Sequence, residues 1–416
     1  MKKIVISGAM ILAASTAYAA IIPSSLLKAL AGKVTVIAAP TTVKLSGVLP
    51  TSITSAVKTA AIEPVKGAVQ TGLLPGQGQL EKIASNFDVN KYIVPAWGTG
   101  EIPAKGTEGV GAFRFHCSAG DVKRDDPIVY PGQPGKSHLH QFFGNTGANA
   151  YSTYASLRTS GESTCSNKLN RSAYWIPAML NGKGKVVRPD YVVIYYKALA
   201  EDDPECQKIG KACVVLPRGL RYVFGYNMTS GKSEGFYFSC DGPTAVSGHY
   251  PDLVTAAKNC PVGNRIGAII ASPTCWDGKN LNSADHRSHV GYPQWNNMGQ
   301  QRCPANLPYL IPMFSLAAWY TVDEDLDRSG EWTPGMSTWS LASDTMPGMA
   351  PMRPGSTFHA DWMGAWDDDV LKMWFDHCIN KVLSCNGGDL GNGKQLAFDP
   401  NFDWVAKPRL VDVPAA

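Results

Sequence analysis

The chain has 416 residues, 44% hydrophobic and 17% charged, with a formal charge of +4 at pH 7. Lys2 and Lys3 supply part of that charge, so the rest is near neutral and offers no concentrated basic surface for nucleic acid. The apolar stretch over residues 4–14 is too short to span a bilayer, and no other run approaches the ~20 apolar residues of a membrane helix, so no transmembrane segment is expected.

In chain order, residues 1–19 read as a signal peptide. Two lysines open it, an apolar stretch follows, and Ala17-Tyr18-Ala19 forms a small-x-small cleavage site. An exported, extracellular or cell-surface protein is therefore expected. Residues 20–92 form a spacer rich in Ala, Val, Thr and Pro, free of Cys and, to about residue 86, of aromatic residues. Its Pro and Gly spacing argues against one continuous element. All eleven Trp fall between Trp97 and Trp404, and residues 93–410 have the aromatic load for one large core.

Within that domain, strand-like runs recur at 192–199, 219–227, 235–240, 265–272 and 308–322, separated by Gly, Pro, Asn and Asp turns. A mainly β domain is expected, with an antiparallel β-sandwich or jelly-roll-like core, long disulfide-pinned loops and one amphipathic helix near the C-terminus. That helix follows Asp367 and Asp368 as candidate N-caps. Val370, Leu371, Trp374, Phe375, Cys378, Ile379, Val382 and Leu383 recur at its period, and His377 falls on its polar face. The ten Cys lie between Cys117 and Cys385 and include no C-x-x-C pair, so five disulfides are expected. Cys206–Cys213 and Cys378–Cys385 are candidate short-range pairs, and Cys275–Cys303 a candidate pin for the loop that begins at Cys275.

Five of the eight His fall in three short motifs: "SHLHQFFG" (His138, His140), "DHRSHVGYP" (His286, His289) and "FHADWMGAWD" (His359, Asp361). In a strand, residues i and i+2 share a face, so His138/His140 and His359/Asp361 can each present a pair of ligands or an acid–base pair. His286 and His289 would share a face on a helical turn. The stretch "CWDGKNLNSADHRSHVGYP" also holds Trp276, Asp277 and Asp285. Imidazole and carboxylate together suit a divalent transition metal, with His138, His140 and His359 as ligands. Without metal, His286, His289, Asp285 and Asp361 can act as acid and base, with Trp residues as a platform for a sugar ring. A third reading leaves each His as a hydrogen-bonded tie for its own loop. Asp323, Asp325 and Asp327 fail the EF-hand pattern, since Arg328 and Pro334 stand where Gly and Glu belong. There is no G-x-S-x-G. His116 precedes Cys117, which is read as half of a disulfide.

"DPIVYPGQPGKSHLHQFFGN", "CSNKLNRSAYWIPAML", "PRGLRYVFG", "CWDGKNLNSADHRSHVGYP" and "FHADWMGAWD", in this order, resemble a secreted domain-of-unknown-function family with the signature CWDGKxLxSxDHxSH. The resemblance runs from about Asp126 to Cys378 and does not include the spacer. Family members occur alone behind a signal peptide or beside WSC modules, which are thought to bind carbohydrate. The resemblance carries no reaction. It implies that Asp126, the paired His, Asp285 and Asp361 occupy motif positions, as do Trp175, Trp276 and Trp366, the candidate substrate-binding aromatics. The expected function is binding or hydrolysis of polysaccharide at the cell surface through a His/Asp site. The alternatives are a non-catalytic cell-envelope binding protein with structural His motifs, and a metal-dependent oxidative enzyme.

Overall fold

The structure is a computed structural model and describes residues 73–415. The signal peptide and the spacer up to residue 72 lie outside the described residues. Residues 73–92, read above as the end of the spacer, are laid on the domain surface. Leu74 is buried, Gly76 N–H donates to Gly278 O, and Arg218 and Arg158 donate to Leu80 O and Ile83 O.

Eleven strands build the core: β1 (Gly111–Cys117), β2 (Val122–Lys123), β3 (His140–Gly144), β4 (Ala173–Pro177), β5 (Tyr191–Ala198), β6 (Arg221–Gly225), β7 (Phe236–Asp241), β8 (Arg265–Ala271), β9 (Met313–Thr321), β10 (His359–Met363) and β11 (Ser384–Cys385). One sheet has the order β7-β8-β9-β5-β1-β11, antiparallel except for the parallel pair β1–β11. The other has the order β6-β10-β4-β3-β2 and is antiparallel throughout. The protein is mainly β, as the turn-separated runs predict.

Alternation explains the first sheet. In β5, Val192, Ile194 and Tyr196 are buried while Tyr191, Val193 and Tyr195 are half-buried on the outer face. In β9, Phe314, Leu316, Ala318 and Tyr320 turn inward. Opposite them the second sheet presents Tyr174, Tyr222, Phe224 and Trp362, with ring centroids 5.3–6.5 Å from Phe314. A buried aromatic of this kind contributes roughly 2–3 kcal/mol by burial alone. Two of the buried hydroxyls are paired with each other: Tyr174 and Tyr196 share a 2.8 Å hydrogen bond, and Trp366 Nε1 donates to the Tyr196 hydroxyl.

The second sheet is covered on both faces, and every residue of β3, β4 and β10 is buried. Its outer face carries Phe142, Trp175, Val223 and Met363, packed under Ile128, Ala148, Tyr154, Leu157 and Ala365. His140, His359 and Asp361 share that face by strand alternation.

All ten Cys are paired, as Cys117–Cys165, Cys206–Cys213, Cys240–Cys260, Cys275–Cys303 and Cys378–Cys385. The C-terminal helix runs over Asp368–Trp374 and continues as a π-turn over Phe375–Ile379, with the Asp367 carboxylate accepting from Asp369 and Val370 N–H. It stops short of the apolar period, because Val382 has φ +55° and the chain then joins β1 as a strand. His377 is half-buried, not fully solvated. No helix among the described residues is long and apolar enough to cross a membrane.

Candidate metal site

The register of the second sheet sets the site. Asp361 on β10 and Phe142 on β3 both lie opposite Trp175 on the intervening β4. Two residues along, His140 lies opposite Pro177, and His359 sits two residues before Asp361 on the same face of β10. His138 enters from the extended segment just before β3. One ligand atom from each of His138, His140 and His359 lies within 4.8 Å of the other two, and the same holds for Asp126, His140 and Asp361.

The ring nitrogens are divided in a consistent way. His140 Nδ1 lies 3.0 Å from Asp125 O, His359 Nδ1 lies 2.8 Å from Thr357 O, and His138 Nδ1 lies 3.3 Å from Leu139 O. A carbonyl can only accept, so each Nδ1 carries the proton and each Nε2 presents a lone pair. His138 Nε2 and His359 Nε2 are 3.2 Å apart. His140 Nε2 is buried without a partner. Burial lowers the pKa of His138 to about 4 and holds His140 and His359 well below the usual imidazole range, the neighbouring His and, for His359, Arg287 adding to the effect. With Nδ1 protonated on each ring, two Nε2 lone pairs face one another. A cation held between them would relieve that repulsion. Two imidazole ligands on one ion stand ~3.0–3.4 Å apart, given metal–nitrogen bonds of ~2.0–2.1 Å. The 3.2 Å spacing falls in that range.

Two carboxyls back the cluster. Asp361 is buried with both oxygens unpartnered; burial raises its pKa well above the carboxylate range, Asp126 adds to the rise and Arg287 opposes it. Burial likewise raises Asp126 to about 6, against two 2.9 Å hydrogen bonds that its Oδ1 accepts from Ile128 and Val129 N–H. Leaving so many polar atoms unpaired in one buried place is costly unless something binds there.

"CWDGKNLNSADHRSHVGYP" serves differently. β6 is an edge strand of the second sheet, and this loop takes up its outward backbone groups. Arg221 N–H donates to Leu281 O and Val223 N–H to His286 O, while His289 Nε2–H donates to Arg221 O at 3.0 Å. His289 Nδ1 is 2.8 Å from Ser283 Oγ and His286 Nδ1 is 3.0 Å from Asn282 Oδ1. Asp285 accepts from Ser283, Arg287 and Ser288, and Asp277 accepts from Lys279 and Asn280. Those bonds outweigh burial and hold the Asp285 carboxyl well below the usual range. Neither His286 nor His289 belongs to the two groups of ligand atoms that the other motifs bring within 4.8 Å. The segment is a chain of turns, not a helical turn, and His286 has φ +59°.

The Trp residues expected to carry a sugar ring are core residues instead. Trp175 stacks on Phe142 at 5.4 Å, Trp276 donates from Nε1 to Asn280 O, and Trp366 donates to Tyr196; all three are buried. None presents a face to solvent. Two residues near the site escaped the sequence reading as chemistry. Asp126 was noted only as a motif position. Arg287 lies between His286 and His289, and it donates to Gly225 O and Tyr226 O at 3.3 and 2.8 Å. Gly225 is the register partner of His359.

No curated protein and no solved structure matches the chain. A family model described as Domain of unknown function (DUF1996) matches residues 126–366, a span that begins at Asp126 and holds His138, His140, His359 and Asp361. Since that span is more than half of the chain, the protein belongs to this DUF1996 family.

Proposed function

We propose that the protein is a secreted metal-dependent hydrolase of cell-surface polysaccharide, with a divalent transition metal held by Nε2 of His138, His140 and His359. The observation that carries this reading is the convergence of neutral ring nitrogens whose Nδ1–H groups are all tied to backbone carbonyls, which fixes each ring and turns its Nε2 lone pair inward as metal-binding His do. When bound, such an ion polarises an oxygen of the substrate and acidifies water. Asp361 then has the part of proton donor: a carboxyl oxygen lies within 4.8 Å of a His140 ring nitrogen with no hydrogen-bond partner of its own, and burial favours its protonated form. Asp126 stabilises its own loop through the bonds to Ile128 and Val129 and keeps a second carboxyl beside His140. Export is supported by five disulfides. The substrate class follows the resemblance to proteins found beside WSC modules. A panel of insoluble glycans, scored for released sugar with metal-loaded and chelator-treated protein, tests it. Metal-dependent release is expected, and retention of a glycan without release would favour a binding protein.

That second reading has one observation of its own: the ring nitrogens of His289 are both engaged in holding the loop to β6. For this motif the structural role is the better supported one.

A further inference from the structure

The metal reading leaves two cations beside the cluster without a task. Arg287 arrives from the edge loop and is anchored at Gly225 O, across the strand pair from His359. Its charge is felt at both His359 and Asp361. A guanidinium has five N–H donors, and the two carbonyls it meets leave the others available. Arg124 arrives from the opposite side. It directly precedes Asp125, whose carbonyl fixes His140, and its own carbonyl accepts from Ser137 N–H, next to His138. Its Nε is buried without a partner, and its charge is felt at His138. Among the described residues neither guanidinium has a carboxylate within ion-pair distance. Surface arginines need no partner, but a half-buried pair flanking neutral imidazoles gives a positive field at a site that also takes a cation.

We propose that Arg124 and Arg287 bind an oxyanion of the substrate beside the three-histidine centre, so that the substrate is an acidic glycan carrying carboxylate or phosphate. The planar guanidinium fork suits both groups, which a neutral sugar lacks. The assignment rests on the metal reading for what stands next to the anion, while the arginines themselves can be tested apart from it.

The experiment is calorimetric titration of the zinc-loaded chain with D-glucuronate, inorganic phosphate and glucose, with zinc content measured separately. Glucuronate or phosphate should bind, the stronger of the two naming the group, and glucose should not. Arg124→Gln and Arg287→Gln should each weaken that binding at least tenfold with zinc content unchanged. Arg287→Gln also removes two bonds to β6 and its following residue, so Arg124→Gln, which removes no hydrogen bond, keeps the test clean if the first variant misfolds. Wild-type affinity in Arg124→Gln, or glucose binding as tightly as glucuronate, would overturn the proposal. A chain that takes up no zinc yet binds glucuronate through the arginines would overturn the metal reading and leave the oxyanion assignment standing.

Discussion

His359→Ala separates a ligand from a structural histidine. The side chain is 5% exposed and donates one hydrogen bond, to Thr357 O. Losing that bond costs about 1 kcal/mol, and the vacated space roughly 1–2 kcal/mol more. Removing one of two lone pairs held 3.2 Å apart offsets part of this. The metal-free variant should therefore fold and be less stable by roughly 1–3 kcal/mol. Metal then distinguishes the two proteins. At a free metal concentration of 100 Kd, binding stabilises the wild type by ~2.7 kcal/mol. If losing one ligand weakens affinity at least ~100-fold, the upper end of what losing a ligand's hydrogen-bond partner costs, the same concentration stabilises the variant by at most ~0.4 kcal/mol. For a domain of this size that is a rise in Tm of ~4 °C against ~0.6 °C. Thermal unfolding with and without zinc, for both chains, is the assay. Equal shifts in the two proteins would refute the reasoning, as would a wild type whose Tm ignores every metal offered.

His289→Ala should leave metal content unchanged but cost about 1–3 kcal/mol, because it strands the Arg221 carbonyl on an edge strand; loss of metal with full stability would reverse the assignment, and denaturant melts with metal analysis decide it. Removing Cys117–Cys165, which closes 48 residues, should cost ~4 kcal/mol against ~2 kcal/mol for the seven-residue Cys378–Cys385, measured by denaturant unfolding of the two double-Ala variants; similar losses would contradict the loop-length argument. His116 is packed between Trp404 and Tyr191 and its pKa is lowered to about 4, by burial first and Arg114 second. Below pH 6.5 the unfolded chain gains a proton that the folded chain refuses, so this group's stabilisation is full above pH 6.5 and is lost as pH falls toward 4, at up to about 1.4 kcal/mol per pH unit. His116→Gln should flatten the stability profile in that window, and an unchanged slope would count against the burial of a neutral ring.

What the sequence revealed depended on which faces were buried. β5 and β9 alternate because their outer faces are partly solvated, and the runs at 192–199 and 308–322 were legible as strands. "HQFFG", "AYWIP" and "HADWM" are buried on both faces and carry no alternation, so β3, β4 and β10 went unread although they hold the site. His138, His140 and His359 were found by chemistry and i, i+2 spacing instead. The same logic also singled out His286 and His289, since a polar cluster that caps a sheet edge has the composition of one that binds a ligand. Only the pairing of that loop with β6, a tertiary contact, tells them apart. Arg287 was hidden inside the motif by its two histidines, and Asp126 by looking like a turn cap, which it also is.

The central claim is tested most directly by elemental analysis of the protein purified without chelator or affinity tag. The account predicts about one divalent transition metal ion per chain, retained in His289→Ala and lost in a His138→Ala/His140→Ala double variant that still folds. Metal-free wild-type protein that also takes up none on dialysis against zinc, copper or manganese, or an ion retained by the double variant, would contradict it.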